Sequence, residues 1–208
     1  LAKDSSGNNL SKEITINLNW TQEKQEGKSM GLLGSLKKMF SGSNGIDLDL
    51  GCFYELRNGT KMVIDGMQFA HDQGGSRTQA TKQGRYTGQP WVWHSGDDRS
   101  GAGEGENILL NPSGIPDLKR LTVYCFIYNG VANWAQTNAI ASIKVPGNPD
   151  IVVEMGQQMS NKMMCALAEI NFDGSEGITV KKLVSFHNGH ADCDKSYNWG
   201  LQWTAGSK

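Results

Sequence analysis

The chain has 208 residues and a mass of 22.7 kDa, with Lys+Arg 20 against Asp+Glu 21 and a formal net charge of -1. That balance argues against a polycation built to neutralise a phosphate backbone or an anionic membrane surface, so no nucleic-acid partner is expected. A hydrophobic fraction of 38%, with Trp 6, Phe 6 and Tyr 5, excludes a disordered chain, and the length suits one domain with a buried core over residues 1–208.

Ile14, Ile16, Leu18 and Trp20 alternate with Thr15, Asn17 and Asn19, which predicts a half-buried strand. Residues 21–44 interrupt the pattern. Leu32, Leu33, Leu36, Met39 and Phe40 have helical spacing there, but Gly31, Gly34 and Gly42 limit any helix, so this segment is expected to be a flexible excursion between strands. Strands are predicted over 48–56 and 61–64, punctuated by Asn58-Gly59 and Asp65-Gly66, both turn signals because these residue types tolerate positive φ. Residues 68–89 read as a long polar loop, and Trp91 and Trp93 resume alternation around Val92.

The run LTVYCFIY at 121–128 is the most apolar and is expected at the centre of a sheet. Further strands are predicted over 140–145, 151–155, 163–172 and 178–186, separated by Pro146-Gly147, Asp173-Gly174 and neighbouring turns, with a helical turn around 159–170 as the competing reading. The closing Asn188-Gly189 stretch reads as a loop. Eight or more short strands and a glycine count of 26 point to an all-β, two-sheet sandwich, with at least seven strands and less helix than strand.

Two acidic clusters carry candidate chemistry. Asp47 and Asp49 flank Leu48, and an extended backbone would send both carboxylates to one side. GDDRSGAGEGE at 96–106 packs Asp97, Asp98, Glu104 and Glu106 among glycines. A hard cation such as calcium takes six to eight oxygen ligands, and a glycine-rich loop can wrap one with carboxylates and main-chain carbonyls. The EF-hand spacing is absent, and a solvated acidic hairpin is the alternative. If the fold brought both clusters to one end, mutual repulsion would itself argue for a bound cation.

These same segments carry a resemblance. GIDLDLGCFYEL at 45–56, HSGDDRSGAGEGENILL at 94–110, the central LTVYCFIY and NWAQTNAIASIKV at 133–145 resemble the TerD-like family of tellurium-resistance and stress-response proteins. The closing HNGHADCDKSYNWGLQWTAGSK is similar to the TerA branch, whose TerD-like domain lies towards the C-terminal end of a longer polypeptide; Leu1 as first residue agrees with such a fragment. The resemblance implies a TerD-like β-sandwich that binds Ca2+ through loops at one end and serves tolerance to tellurite and other stresses. Its acidic signatures fall on Asp47 and Asp49, and on Gly96, Asp97, Asp98, Arg99, Ser100, Gly101, Gly103, Glu104, Gly105 and Glu106. The implied metal set is therefore Asp47, Asp49, Asp97, Asp98, Arg99, Gly101, Gly103, Glu104 and Glu106. The chain departs from the usual pattern at Asp98, Ser100 and Glu106-Asn107, where the family has Asn, Thr and an Asp pair, which puts the number of calcium sites in question.

Other candidates have plainer readings. His187, His190, Asp192, Cys193 and Asp194 offer donors for zinc, but without paired ligand spacing a solvated loop accounts for them. His71 and Asp72 lack an accompanying nucleophile. Cys52, Cys125 and Cys165 lie in strand candidates and Cys52 and Cys125 are expected to be buried, while Cys193, between two aspartates, is expected to be exposed with a raised pKa. No run approaches the ~20 apolar residues that cross a bilayer, and no basic-then-apolar leader is visible. The expected protein is a cytoplasmic, non-enzymatic calcium scaffold or sensor with protein partners, peripheral association with a membrane complex staying open. A metal-assisted hydrolase, an oxyanion redox protein and a metal-free assembly module are the alternatives.

Overall fold

The computed structural model describes residues 13–20, 46–69, 75–98, 104–130, 132–175 and 177–204. The expected excursion at 21–44, His71, Asp72, Arg99, Gly101 and Gly103 lie outside them. In chain order the strands are β1 (Ile14–Asn19), β2 (Asp47–Leu56), β3 (Lys61–Asp65), β4 (Gly84–Arg85), β5 (Val92–His94), β6 (Glu106–Leu110), β7 (Leu118–Asn129), β8 (Ile140–Lys144), β9 (Ile151–Glu154), β10 (Met164–Phe172) and β11 (Ile178–His187). An α-helix, α1 (His190–Ser196), follows β11.

The strands form two antiparallel sheets, ordered β4-β5-β6-β1-β8-β9 and β11-β10-β7-β2-β3. The all-β sandwich expected from the turn-punctuated apolar runs is the observed architecture. Alternation in β1 becomes geometry directly: Ile14, Ile16 and Leu18 are buried in the core while Thr15, Asn17 and Asn19 are half-covered. β7 is the middle strand of its sheet, as its apolar run requires, and residues 164–172 are strand rather than helix. The β2–β3 hairpin turns at Gly59, with φ +90, and Asn58 Oδ1 accepts the Thr60 N–H at 2.9 Å. Asp65-Gly66 differs from expectation. It starts a 3-10 turn at Gly66–Gln68, which Asp65 caps, because β3 ends there and the chain leaves the sheet.

β2 is buried on both faces over nearly its whole length. Leu48, Leu50, Cys52, Tyr54 and Leu56 face the core between the sheets, while Phe53 belongs to a second apolar cluster with Tyr124, Phe126, Met164, Ala166, Cys193 and Trp199. The C-terminal residues beyond β11, read from sequence as a solvated loop, supply the cover: α1 and the segment after it lie over the outer face of the second sheet. Cys193 is therefore fully buried, contrary to the expected exposure. Burial and then the flanking Asp192 and Asp194 push its thiol up to about 12.

Gly51 makes this outer layer fit. A Cβ there would sit 2.5 Å from Tyr124 Cε2 and 2.8 Å from Asp65 Cβ. Its absence lets the Tyr124 ring cross β2 and donate its hydroxyl proton to Asp65 Oδ2 at 2.8 Å.

Candidate metal centre

The register of three strands assembles the acidic site. β1 pairs with β6, placing Leu18 opposite Glu106 at the start of β6, and β5 pairs with β6, ending at His94 opposite Ile108. In the other sheet, β3 stops at Asp65 opposite Gly51, so the edge of β2 is open at Leu50. Side chains from the first sheet close it. Glu106 Oε2 accepts the Leu50 N–H at 2.7 Å, and His94 Nε2 lies 3.0 Å from the Leu50 carbonyl oxygen.

The tautomer of His94 follows from its partners. The Gly96 N–H donates to Nδ1 at 3.0 Å, so the ring proton sits on Nε2 and is donated to Leu50 O. His94 Nε2 also lies 3.5 Å from Glu106 Oε2, and both side chains are wholly buried. The second Glu106 oxygen accepts the Asp98 N–H at 3.1 Å, which ties the loop after β5 to β6. Gly105, φ +71, allows the chain to enter β6: a Cβ there would lie 2.1 Å from the Leu18 carbonyl oxygen. Asn17 Nδ2 completes the tie by donating to Glu104 O at 2.8 Å and Asn107 Oδ1 at 2.9 Å.

Around this frame Asp49, Asp97 and Glu106 converge. All three are buried, and one carboxylate oxygen from each lies within 4.8 Å of the others. Asp47, Asp98 and Glu104 stand outside that group. A register irregularity between Asp47 and Leu48 breaks the alternation that would have carried both β2 aspartates together, Asp98 contributes its main chain to Glu106, and Glu104 is exposed. His94 is the residue that reading the sequence missed; its place immediately before the acidic loop is the only local signal.

The five-residue donor cluster near the C-terminus is divided among separate tasks. His187 contacts Ser185 at 2.9 Å, Asp192 accepts from Asn188 N at 2.9 Å, Asp194 binds the segment at 200–203, and His190 reaches Asp65 at 3.0 Å.

The chain is 34% identical over 198 residues to the tellurium resistance protein TerA of Alcaligenes sp., across 94% of this chain and 52% of that protein. The chain belongs to the TerD-like tellurium-resistance family. It spans about half the length of the TerA protein it matches. Two solved structures share the TerD-like fold. A homologue of the telluride resistance protein TerD from Streptomyces coelicolor A3(2) superposes with a TM-score of 0.56 at 13% identity, over 88% of this chain and 94% of that one. A protein of unknown function gives 0.58 at 12% identity, over 91% and 98%. No family model matches the chain.

Proposed function

We propose that this TerD-like chain is a non-enzymatic calcium-binding module of tellurium resistance and general stress response, acting in the cytoplasm as a calcium-ordered scaffold or sensor for a protein partner. The convergence of Asp49, Asp97 and Glu106 from both sheets supports this reading. Their donors are hard carboxylate oxygens, which suit calcium, and an ion held there would relieve repulsion among three buried carboxylates. When bound, calcium supplies charge neutralisation. The chain's own part is to fix Glu106 through Leu50 and Asp98, so that the acidic loop and β2 are joined at one end of the sandwich.

The thiol-redox alternative has less support. All four cysteines are buried. Burial, then Cys193, pushes Cys165 up to about 12, and burial likewise raises Cys52 and Cys125 well above the usual thiol range, so none is a ready thiolate.

Calorimetric titration of the parent and Asp97→Asn proteins tests the ion. Calcium affinity is expected to fall at least tenfold, ~1.4 kcal/mol, while calcium-free stability changes little. Equal affinities would remove Asp97 from the site. Hydrogen exchange tests the ordering: calcium should slow exchange at residues 47–50 and 104–106 more than at 121–128. A partner captured with calcium should dissociate on chelation while β7 stays protected. Slowed exchange with unaltered partner binding would leave calcium a structural ion and end the sensor reading.

A further inference from the structure

A groove of about 430 Å³ opens between β3, the edge strand of its sheet, and the C-terminal segment, with Met62, Val63, Met67, His190 and Trp203 among its walls. A single buried carboxylate anchors two of these residues. Asp65 Oδ2 accepts from Tyr124 Oη at 2.8 Å and from His190 Nε2 at 3.0 Å, while Oδ1 accepts the Met67 N–H at 3.1 Å. Burial and then the Asp65 charge raise the Tyr124 pKa well above its ordinary value, so its hydroxyl stays a donor.

With Nε2 donating to Asp65, the lone pair of the neutral His190 ring sits on Nδ1. Nδ1 has no hydrogen-bond partner among the described residues, and the His190 side chain keeps 16% of its surface exposed. The ring itself is held in place by Tyr124, Phe126 and Trp203, with centroids 5.2, 4.8 and 5.2 Å away. A histidine with one nitrogen fixed by a carboxylate and the other presenting its lone pair is the arrangement used by metal-ligating histidines.

The neighbouring donors decide which metal. Met67 is tied to the same carboxylate through its main chain, and Met62, 51% exposed, stands on the same groove wall. Thioethers are soft, polarizable and conformationally adaptable, and with imidazole they select Cu(I)-like ions over calcium or magnesium. The Trp203 ring adds an aromatic face that attracts a cation. We propose that this groove binds one soft monovalent cation, Cu(I) or Ag(I), through His190 Nδ1 and the Met67 thioether, with Met62 as an adaptable third donor. The site shares no residue with the acidic centre.

Ag(I), an air-stable probe, titrated into the 208-residue protein carrying 15N-labelled imidazoles, provides the test. One equivalent should shift the His190 Nδ1 resonance. His190→Ala and Met67→Leu should each weaken silver binding at least tenfold, and Met62→Leu less. Met67→Leu keeps the side-chain volume and the main-chain bond to Asp65, so it reports on the thioether even if His190→Ala disturbs folding. Anaerobic Cu(I) should compete for the same site, and Ca(II) should leave the Nδ1 resonance unmoved. Equal silver affinity in the parent and Met67→Leu proteins, or an unshifted Nδ1 resonance at saturation, would put the ion outside this groove and overturn the proposal.

Discussion

Glu106→Ala is expected to destabilise the protein by about 3–5 kcal/mol in calcium and by far less in chelator. Truncation leaves the buried Leu50 N–H without its acceptor, at about 1–3 kcal/mol, and the part-buried Asp98 N–H without its own, at a smaller cost because water can reach it. Against this, removing one of three carboxylates within 4.8 Å relieves repulsion of about 3–4 kcal/mol per pair at an effective dielectric near 20. Without a cation the relief across the two pairs that Glu106 forms, about 6–8 kcal/mol, offsets the orphaned donors in full. A bound ion turns the repulsion into attraction, so the loss of Glu106 is then felt in full, together with the loss of a ligand. Urea unfolding of parent and variant in calcium and in chelator measures the difference directly. The same loss in both conditions would mean that no cation is held beside Glu106.

Asp194→Ala should be comparably damaging through a different mechanism. The Asp194 carboxylate accepts from Gly200 N and Leu201 N at 2.8 Å each and from Trp203 Nε1 at 2.9 Å. Bonds to a charged acceptor contribute about 1.5–3 kcal/mol each and are not additive, so a total loss of about 3–5 kcal/mol is expected. These bonds strap the terminal segment over Phe53 and His190, whose rings lie 5.5 and 5.2 Å from Trp203. The native fluorescence of the variant should shift to the red as Trp203 gains water, while Trp199, bonded to Thr122 at 3.0 Å, stays buried. Asp194→Asn retains one acceptor and should fall between the two. A variant within about 1 kcal/mol of the parent and with unchanged emission would show that the outer layer is held by apolar packing alone.

Strand existence was legible because it is local. The alternation from Ile14 to Asn19 and the apolar run inside β7 specify which side chains leave water, and Asn58-Gly59 specifies one hairpin. The acidic loops could be recognised as a pair from residue type and order, and family membership from the same motifs. Which carboxylates meet was not legible. A one-residue irregularity after Asp47 changes the alternation of β2, and Glu106 reaches Asp49 only because β1 carries β6 to the open edge left where β3 ends.

The outer layer shows the same limit more sharply. His190 and Asp65 are 125 residues apart and meet at 3.0 Å, and Cys193, flanked by two aspartates, is buried because α1 folds onto a sheet face that needed covering. The sequence by itself determined the fold class, the strands and the chemistry available at each loop, since period-2 burial and turn geometry depend on neighbours along the chain. Only the tertiary structure decided which of those groups share a site, because strand register and layer packing join residues whose separation carries no local signal.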